Sequence, residues 1–318
     1  SKSPPLLYGV PQGSVLGPIL FLLYTQPLSD IVNKFNIFHH MFADDTELYG
    51  SYPRQQLDTL LSDMQSCTLT VKQWTLQNKL QLNEDKTEAL LVSAKCSDLP
   101  NSLRIGQTDI PFSVSARNLG VMFDNTLSMR EQVNKVCQCA YFELRRIATI
   151  RRYLTTESTK TLVASLVLSR LDYCNSLLAG LPQNLLDKIQ KVMNCAARLV
   201  FKAPKRQHVS PLLSDLHWLS IQNRIHYKIA TMCYSIITGS APPYLSSLIQ
   251  LYTPSRNLRS SADTRLLRVP VRRRKFQGQR AFSYIGPVTW NSLPPHIRHA
   301  QSTAAFKSQL KTHLFSSQ

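Results

Sequence analysis

An α+β fold is predicted on three observations. Short strand-like runs dominate the first 127 residues, helical periodicity dominates the remainder, and the charge balance changes sign at nearly the same place. Residues 1–130 hold 10 Lys/Arg against 12 Asp/Glu, whereas residues 131–318 hold 27 against 7. The 318 residues are 43% hydrophobic, enough to bury a substantial core. A domain takes about 100–200 residues, so two or three are expected.

In chain order, the first signal is the uncharged apolar run Val15 to Tyr24. It is far shorter than the ~20 residues that span a bilayer. Ile37 to Ala43 and Glu47 to Tyr49 then flank Asp44 and Asp45 as a hairpin. Leu57, Leu60, Leu61, Met64, Val71 and Trp74 keep approximate helical spacing, with Asn78 as the stop. Short strands follow at Ala89 to Ser93, Leu103 to Ile105, Ile110 to Val114 and Asn118 to Phe123. Beyond them, helices are expected over Glu131 to Tyr153, Glu157 to Leu178, Asn184 to Phe201, Ile221 to Thr238 and Thr303 to Phe315. Gly180-Leu181-Pro182, Ala203-Pro204 and Gly239 to Pro243 punctuate them. Between Leu251 and Arg280 a Ser/Arg-rich stretch containing Arg272, Arg273, Arg274 and Lys275 is expected to be a loop or extended arm.

The basic second part attracts a polyanion, which makes nucleic acid the expected partner. An anionic membrane surface is the rival, but the basic residues are spread over helices and loops and form no juxtamembrane block. Seven cysteines, none in a C-x-x-C pair, fit a reducing, intracellular compartment. Short basic runs such as Arg272 to Lys275 are too commonplace to separate nucleus from cytoplasm. Cys137 and Cys139 are two apart on an expected helix and point to different faces. His39 and His40 are strand neighbours facing opposite sides, which argues against a shared metal. No H-E-x-x-H, G-x-S-x-G or P-loop pattern occurs. Trp74, Trp218 and Trp290 are expected in the core.

Phe42-Ala43-Asp44-Asp45 is the sharpest chemical feature, two adjacent carboxylates on a hairpin with no nearby Lys or Arg in sequence. Repulsion between unit charges ~4 Å apart is ~1 kcal/mol in water and ~4 kcal/mol at an effective dielectric of 20, so an exposed turn tolerates the pair. By themselves the two residues equally fit a turn that closes a hairpin. Their surroundings add to this. Gly9-Val10-Pro11-Gln12-Gly13-Ser14-Val15-Leu16-Gly17-Pro18 precedes them, Leu82-Asn83-Glu84-Asp85-Lys86-Thr87-Glu88 follows, and Asn118-Leu119-Gly120-Val121 comes later. Four such segments in this order resemble the palm of a reverse transcriptase, more narrowly of the non-long-terminal-repeat (LINE-type, jockey-like) retrotransposon polymerases. Ser169-Arg170-Leu171-Asp172-Tyr173-Cys174-Asn175, Ala196-Ala197-Arg198-Leu199, Leu216-His217-Trp218-Leu219 and Gly286-Pro287-Val288-Thr289-Trp290-Asn291 resemble the thumb and C-terminal region of such elements.

The resemblance implies an RNA-directed DNA polymerase working on an RNA template and DNA primer, with Mg²⁺ or Mn²⁺ and no small-molecule cofactor. Asp44 would be a metal ligand and Asp45 a weaker contributor. Gln12, Gly13 and Phe42 would shape the nucleotide and template pocket. Leu119, Gly120 and Val121 would form the primer grip. Lys86 would neutralise or protonate pyrophosphate, or else is a solvated lysine between Asp85 and Glu88. Arg272, Arg273, Arg274 and Lys275 are expected to touch nucleic acid.

The family takes a further Asp from a strand upstream of the Pro-Gln-Gly segment, and the first acidic residue here is Asp30. The expectation is therefore a C-terminal polymerase fragment: a partial palm over 1–127, a helical thumb over 128–202, and a basic, mostly helical region over 203–318. Catalysis would be compromised in isolation, and the alternative is a nucleic-acid-binding remnant without catalysis. An uncovered hairpin edge would then be an aggregation liability.

Overall fold

The computed structural model describes residues 10, 13–93, 100–253, 265–271 and 277–317. They mix helices with small two-stranded antiparallel sheets, an α+β architecture, and divide into two compact units, Ser1–Ala116 and Arg117–Gln318.

In the first unit, α1 (Gly17–Thr25) starts where Pro18 sits in the first turn and Ser14 Oγ accepts a hydrogen bond from the Gly17 amide at 3.0 Å. α2 (Pro27–Val32) follows, again opened by proline. β1 (Phe38–Phe42) pairs with β2 (Asp45–Tyr49) in the register Phe38 with Tyr49, His40 with Glu47 and Phe42 with Asp45. α3 (Leu57–Gln77) ends at Asn78, as its spacing predicts. The inner face of the hairpin packs Met41 and Leu48 against Leu28, Val32, Ile37, Cys67 and Val71, which are the buried apolar centre of this unit. That centre is small, and α1 is apolar all round, so Ile19, Leu20, Leu22 and Leu23 stay exposed. A second hairpin joins β3 (Ser102–Ile105) to β4 (Thr108–Pro111). Among the described residues the strand expected over Ala89 to Ser93 supplies a single bridge, from Ala89 to Phe112.

A continuous apolar cluster runs through the second unit from Val121 to Leu314. Here β5 (Ser115–Asn118) and β6 (Val121–Asp124) form a two-stranded sheet, where one strand was expected over Asn118 to Phe123. The break has a backbone cause: Leu119 and Gly120 have φ of +43° and +84°. Positive φ at both loop positions matches the twist of a two-residue hairpin turn, and Gly adopts it without steric cost. Asp124 then organises the entry to α4 (Arg130–Ile150), accepting hydrogen bonds from Thr126 Oγ1 at 2.6 Å, the Ser128 amide at 2.8 Å and the Met129 amide at 2.7 Å. Burial raises its pKa, but these bonds together outweigh burial and hold the carboxyl below its ordinary value.

The helix expected over Glu157 to Leu178 is interrupted. α5 (Thr156–Val163) passes through one π turn at Ala164–Leu168 into α6 (Ser169–Asp172), and Cys174, at φ +51°, starts a short 3₁₀ turn over Asn175–Leu178. α7 (Gln183–Phe201), α8 (Ser210–Asp215), α9 (Ile221–Ile237) and α10 (Pro243–Ser246) follow. α11 (Gln277–Arg280), α12 (Phe282–Asn291), α13 (Pro295–Arg298) and α14 (Thr303–Ser316) complete the unit. Trp290, Tyr234 and Phe306 are fully buried together, with the Tyr234 and Phe306 rings stacked at 4.2 Å. A side chain at Gly286 would meet Cys233 Sγ at 3.2 Å, so glycine is what lets α12 approach α9 closely. Trp218 and Trp290 are core residues, as expected.

The compact division falls between Ala116 and Arg117, and the apolar cluster of the second unit runs from Val121 to Leu314. Arg151 ties two helices of this unit together. Its buried guanidinium donates to the carbonyls of Leu199 at 2.9 Å, Val200 at 2.7 Å and Leu154 at 2.7 Å. These bonds clamp the end of α4 to the end of α7. Arg151→Ala strips three buried carbonyls of a charged donor and should cost about 3 kcal/mol. A calorimetric melt should then shift down by about 6–12 °C, at ~2–4 °C per kcal/mol for a unit of this size.

Candidate functional site

The hairpin places the two aspartates in different environments. Phe42 pairs with Asp45, so the loop consists of Ala43 and Asp44 alone, and Asp45 already belongs to β2. Ala43 adopts φ +53°, a left-handed conformation that costs an L-residue about 1–2 kcal/mol. Such strain collects at functional sites when the surrounding structure enforces it. Here the enforcing elements are the register of β1 with β2 and the anchoring of their inner face. His39 contributes to that anchoring with a 2.7 Å hydrogen bond between Nε2 and Ser29 Oγ.

The outer face carries Phe38, His40 and Phe42 on one strand, and Asp45, Glu47 and Tyr49 on the other. Phe42 is 66% exposed. Phe38 and Tyr49 stack at 5.5 Å, and Tyr49 Oη lies 3.0 Å from His40 Nε2. Both aspartates are exposed, and neither forms an ion pair with any of the described residues. Among the described residues neither outer edge of this two-stranded sheet is paired.

Gly13 precedes α1 at φ +88° with open space around it, a backbone that a side chain would strain. Gln12 lies outside the described residues, as do Arg272, Arg273, Arg274 and Lys275. Lys86 is exposed at the end of the 3₁₀ turn Glu84–Lys86, whose first amide-facing cap is Asn83 Oδ1, accepting from the Lys86 amide at 3.2 Å. Glu84 pairs with Lys72 of α3 and accepts from Thr108 Oγ1 at 3.0 Å, and these hydrogen bonds lower its pKa. α3 therefore fixes this turn with one face and the acidic hairpin with another. Lys86 itself is not brought into contact with either aspartate.

Leu119 and Gly120 form the turn between β5 and β6, and Val121 is the first residue of β6. Val121 is buried under the hairpin, and Leu119 is exposed. The turn is held from outside its own sequence. Tyr173 Oη donates to the Leu119 carbonyl at 2.6 Å, and the Tyr173 ring lies beside Gly120. Gln132 Oε1 accepts from the Met122 amide at 2.9 Å. Tyr173 was assigned no role from the sequence. Its signal there is an aromatic immediately after the short Ser169-to-Asp172 helix, within a segment already noted for its resemblance. Asp172 beside it bonds Arg224 at 2.9 Å, yet burial wins and its pKa is raised. Among the described residues no three His, Cys, Asp or Glu side chains converge as a metal cage, and no helix is long and apolar enough to cross a membrane.

Residues 5–130 match the family described as reverse transcriptase (RNA-dependent DNA polymerase). Among curated proteins, the chain is similar to the "Probable RNA-directed DNA polymerase from transposon X-element" of Drosophila melanogaster, at 27% identity over 130 residues. The match covers 40% of this chain and 14% of that protein. No solved structure matches. The two matches bear out the resemblance to LINE-type reverse transcriptases.

Proposed function

We propose that the chain is part of an RNA-directed DNA polymerase, with residues 1–127 contributing palm, 128–202 thumb and 203–318 a basic C-terminal region. The observation that carries this reading is the strained, exposed loop that presents Asp44 on a hairpin whose inner face is packed and whose outer face is open. Its donor set suits Mg²⁺, which binds through one or two carboxylates plus substrate phosphates and water rather than in a protein cage. Asp44 and Asp45 would hold the ion. When bound, paired divalent ions in such a site stabilise the attacking and leaving oxygens of an in-line displacement. Asp44, at the loop, is the main ligand, and Asp45, on the strand opposite Phe42, is a weaker contributor. Phe42 offers an apolar surface to a base, and Gly13 allows backbone to approach the nascent pair. Leu119 and Gly120 contact the primer, with Val121 as their buried anchor. Lys86 neutralises departing pyrophosphate.

The test is Mg²⁺-dependent extension of a DNA primer on an RNA template. A second reading, nucleic-acid binding without catalysis, is favoured by the charge of the second unit, with 29 Lys/Arg against 8 Asp/Glu over residues 117–318. Binding that persists without extension selects it. Replacing Arg272, Arg273, Arg274 and Lys275 together with Ala should weaken RNA and DNA binding in a gel-shift titration. As a loop or extended arm by its sequence, this stretch predicts an unmoved melting transition, since changes in such positions alter stability by only about 0.5 kcal/mol each. A collapsed transition would make the segment structural.

A further inference from the structure

The outward face of α4 and the turn after it carries a stripe that the polymerase reading does not use. Buried positions Val133, Cys137, Ala140, Leu144, Ile147 and Arg151 define the inner side. On the opposite side lie the exposed residues Lys135, Phe142, Arg145, Arg146, Arg152 and Tyr153. Phe142 is 53% and Tyr153 73% exposed, unusual for large aromatic rings. Each has a guanidinium over its ring: Arg146 at 5.8 Å from Phe142, and Arg152 at 4.6 Å from Tyr153. Buried Glu143 bonds Arg146 at 3.1 Å and also approaches Arg170 at 3.5 Å, so the cation beside Phe142 is held in place. At 1.5 Å per residue the two aromatic sites are about 16 Å apart along the face.

Packing does not explain two open rings, each capped by an arginine, on a strongly basic face. Alternating cations and aromatic faces are the combination that holds a single strand, because cations track phosphates while any base stacks on a π-face. A duplex hides its base faces and would use only the cations. We infer that this stripe is a binding site for single-stranded nucleic acid, with Phe142 and Tyr153 as stacking platforms and Lys135, Arg145 and Arg152 as phosphate contacts. The inference rests on the reading that the second unit binds nucleic acid, and names where and in what form.

The experiment measures binding of the full chain to a fluorescent 20-nucleotide oligothymidine, to an abasic strand of equal charge, and to a 20-base-pair duplex. Variants are Phe142→Leu and Tyr153→Leu, which keep apolar bulk and lose the π-face. Expected is tighter binding of oligothymidine than of the abasic strand, and a loss of about 5- to 30-fold for oligothymidine in each variant. The abasic strand should bind the variants and the unaltered chain equally, with an unchanged melting temperature. Equal affinity of the unaltered chain for oligothymidine and abasic strand, tighter binding of the duplex, or Leu variants that bind oligothymidine normally would each overturn the stripe while leaving general nucleic-acid binding intact. No binding of any strand at low salt would overturn that general reading, and the stripe with it.

Discussion

Asp44→Asn should abolish primer extension when the chain is joined to the upstream reverse-transcriptase segment of a related element. The substitution keeps side-chain shape and removes the ligand charge. Metal-held oxygens supply several kcal/mol of transition-state stabilisation, and each 1.36 kcal/mol is tenfold in rate, so the loss should be about 10³-fold or more. Asp45 sits on β2 opposite Phe42 rather than in the loop. Asp45→Asn should therefore be milder, about 10- to 100-fold, as for a weaker or outer-shell contributor to the ion. Single-turnover extension on an RNA template measures both. An active fusion indifferent to Asp44→Asn would overturn the site assignment. Robust extension by the unfused 318 residues would show that the carboxylates in this chain suffice.

Residues 131–318, the +20 part of the chain, should bind RNA and DNA with little sequence preference and steep salt dependence. Each phosphate neutralised by Lys or Arg releases condensed counterion. For ~6–10 contacts, affinity should fall about 10³- to 10⁵-fold between 50 and 200 mM salt. Fluorescence anisotropy over that range, on RNA, DNA and their hybrid, gives the slope. The apolar cluster from Val121 to Leu314 extends just beyond residue 131, so the full chain provides the parallel measurement against loss of folding. Salt-independent binding would point to a protein-interaction surface and defeat the polyanion reading.

The acidic hairpin was legible from residue types because short apolar and aromatic runs flank Asp44-Asp45 on both sides, and its ends moved by only a few residues. α3, α7 and α9 were legible from periodicity: their buried faces repeat every three or four residues, and Asn78, Ala203-Pro204 and Gly239 stop them. Charge segregation was also visible without coordinates, since counting needs no geometry. Local pattern does not carry backbone handedness. Asn118 to Phe123 reads as one short, mostly apolar strand, and only φ at Leu119 and Gly120 turns it into a hairpin. Nor does it show long-range partners. Tyr173 bonds a carbonyl 54 residues away, and Arg151 reaches carbonyls 48 and 49 residues on.

Composition, order of motifs and periodicity thus determined the α+β class, the helices, the basic second part and the resemblance to a polymerase. Tertiary structure decided which aspartate occupies the loop, which arginine is a buried clamp and which arginines face outward. The reason is that burial and hydrogen-bond geometry belong to pairs of residues distant in sequence. Arg151 and Arg152 are neighbours of identical chemistry, and only the packing of α4 against α7 separates a residue that holds the fold from one that lies over an open aromatic ring.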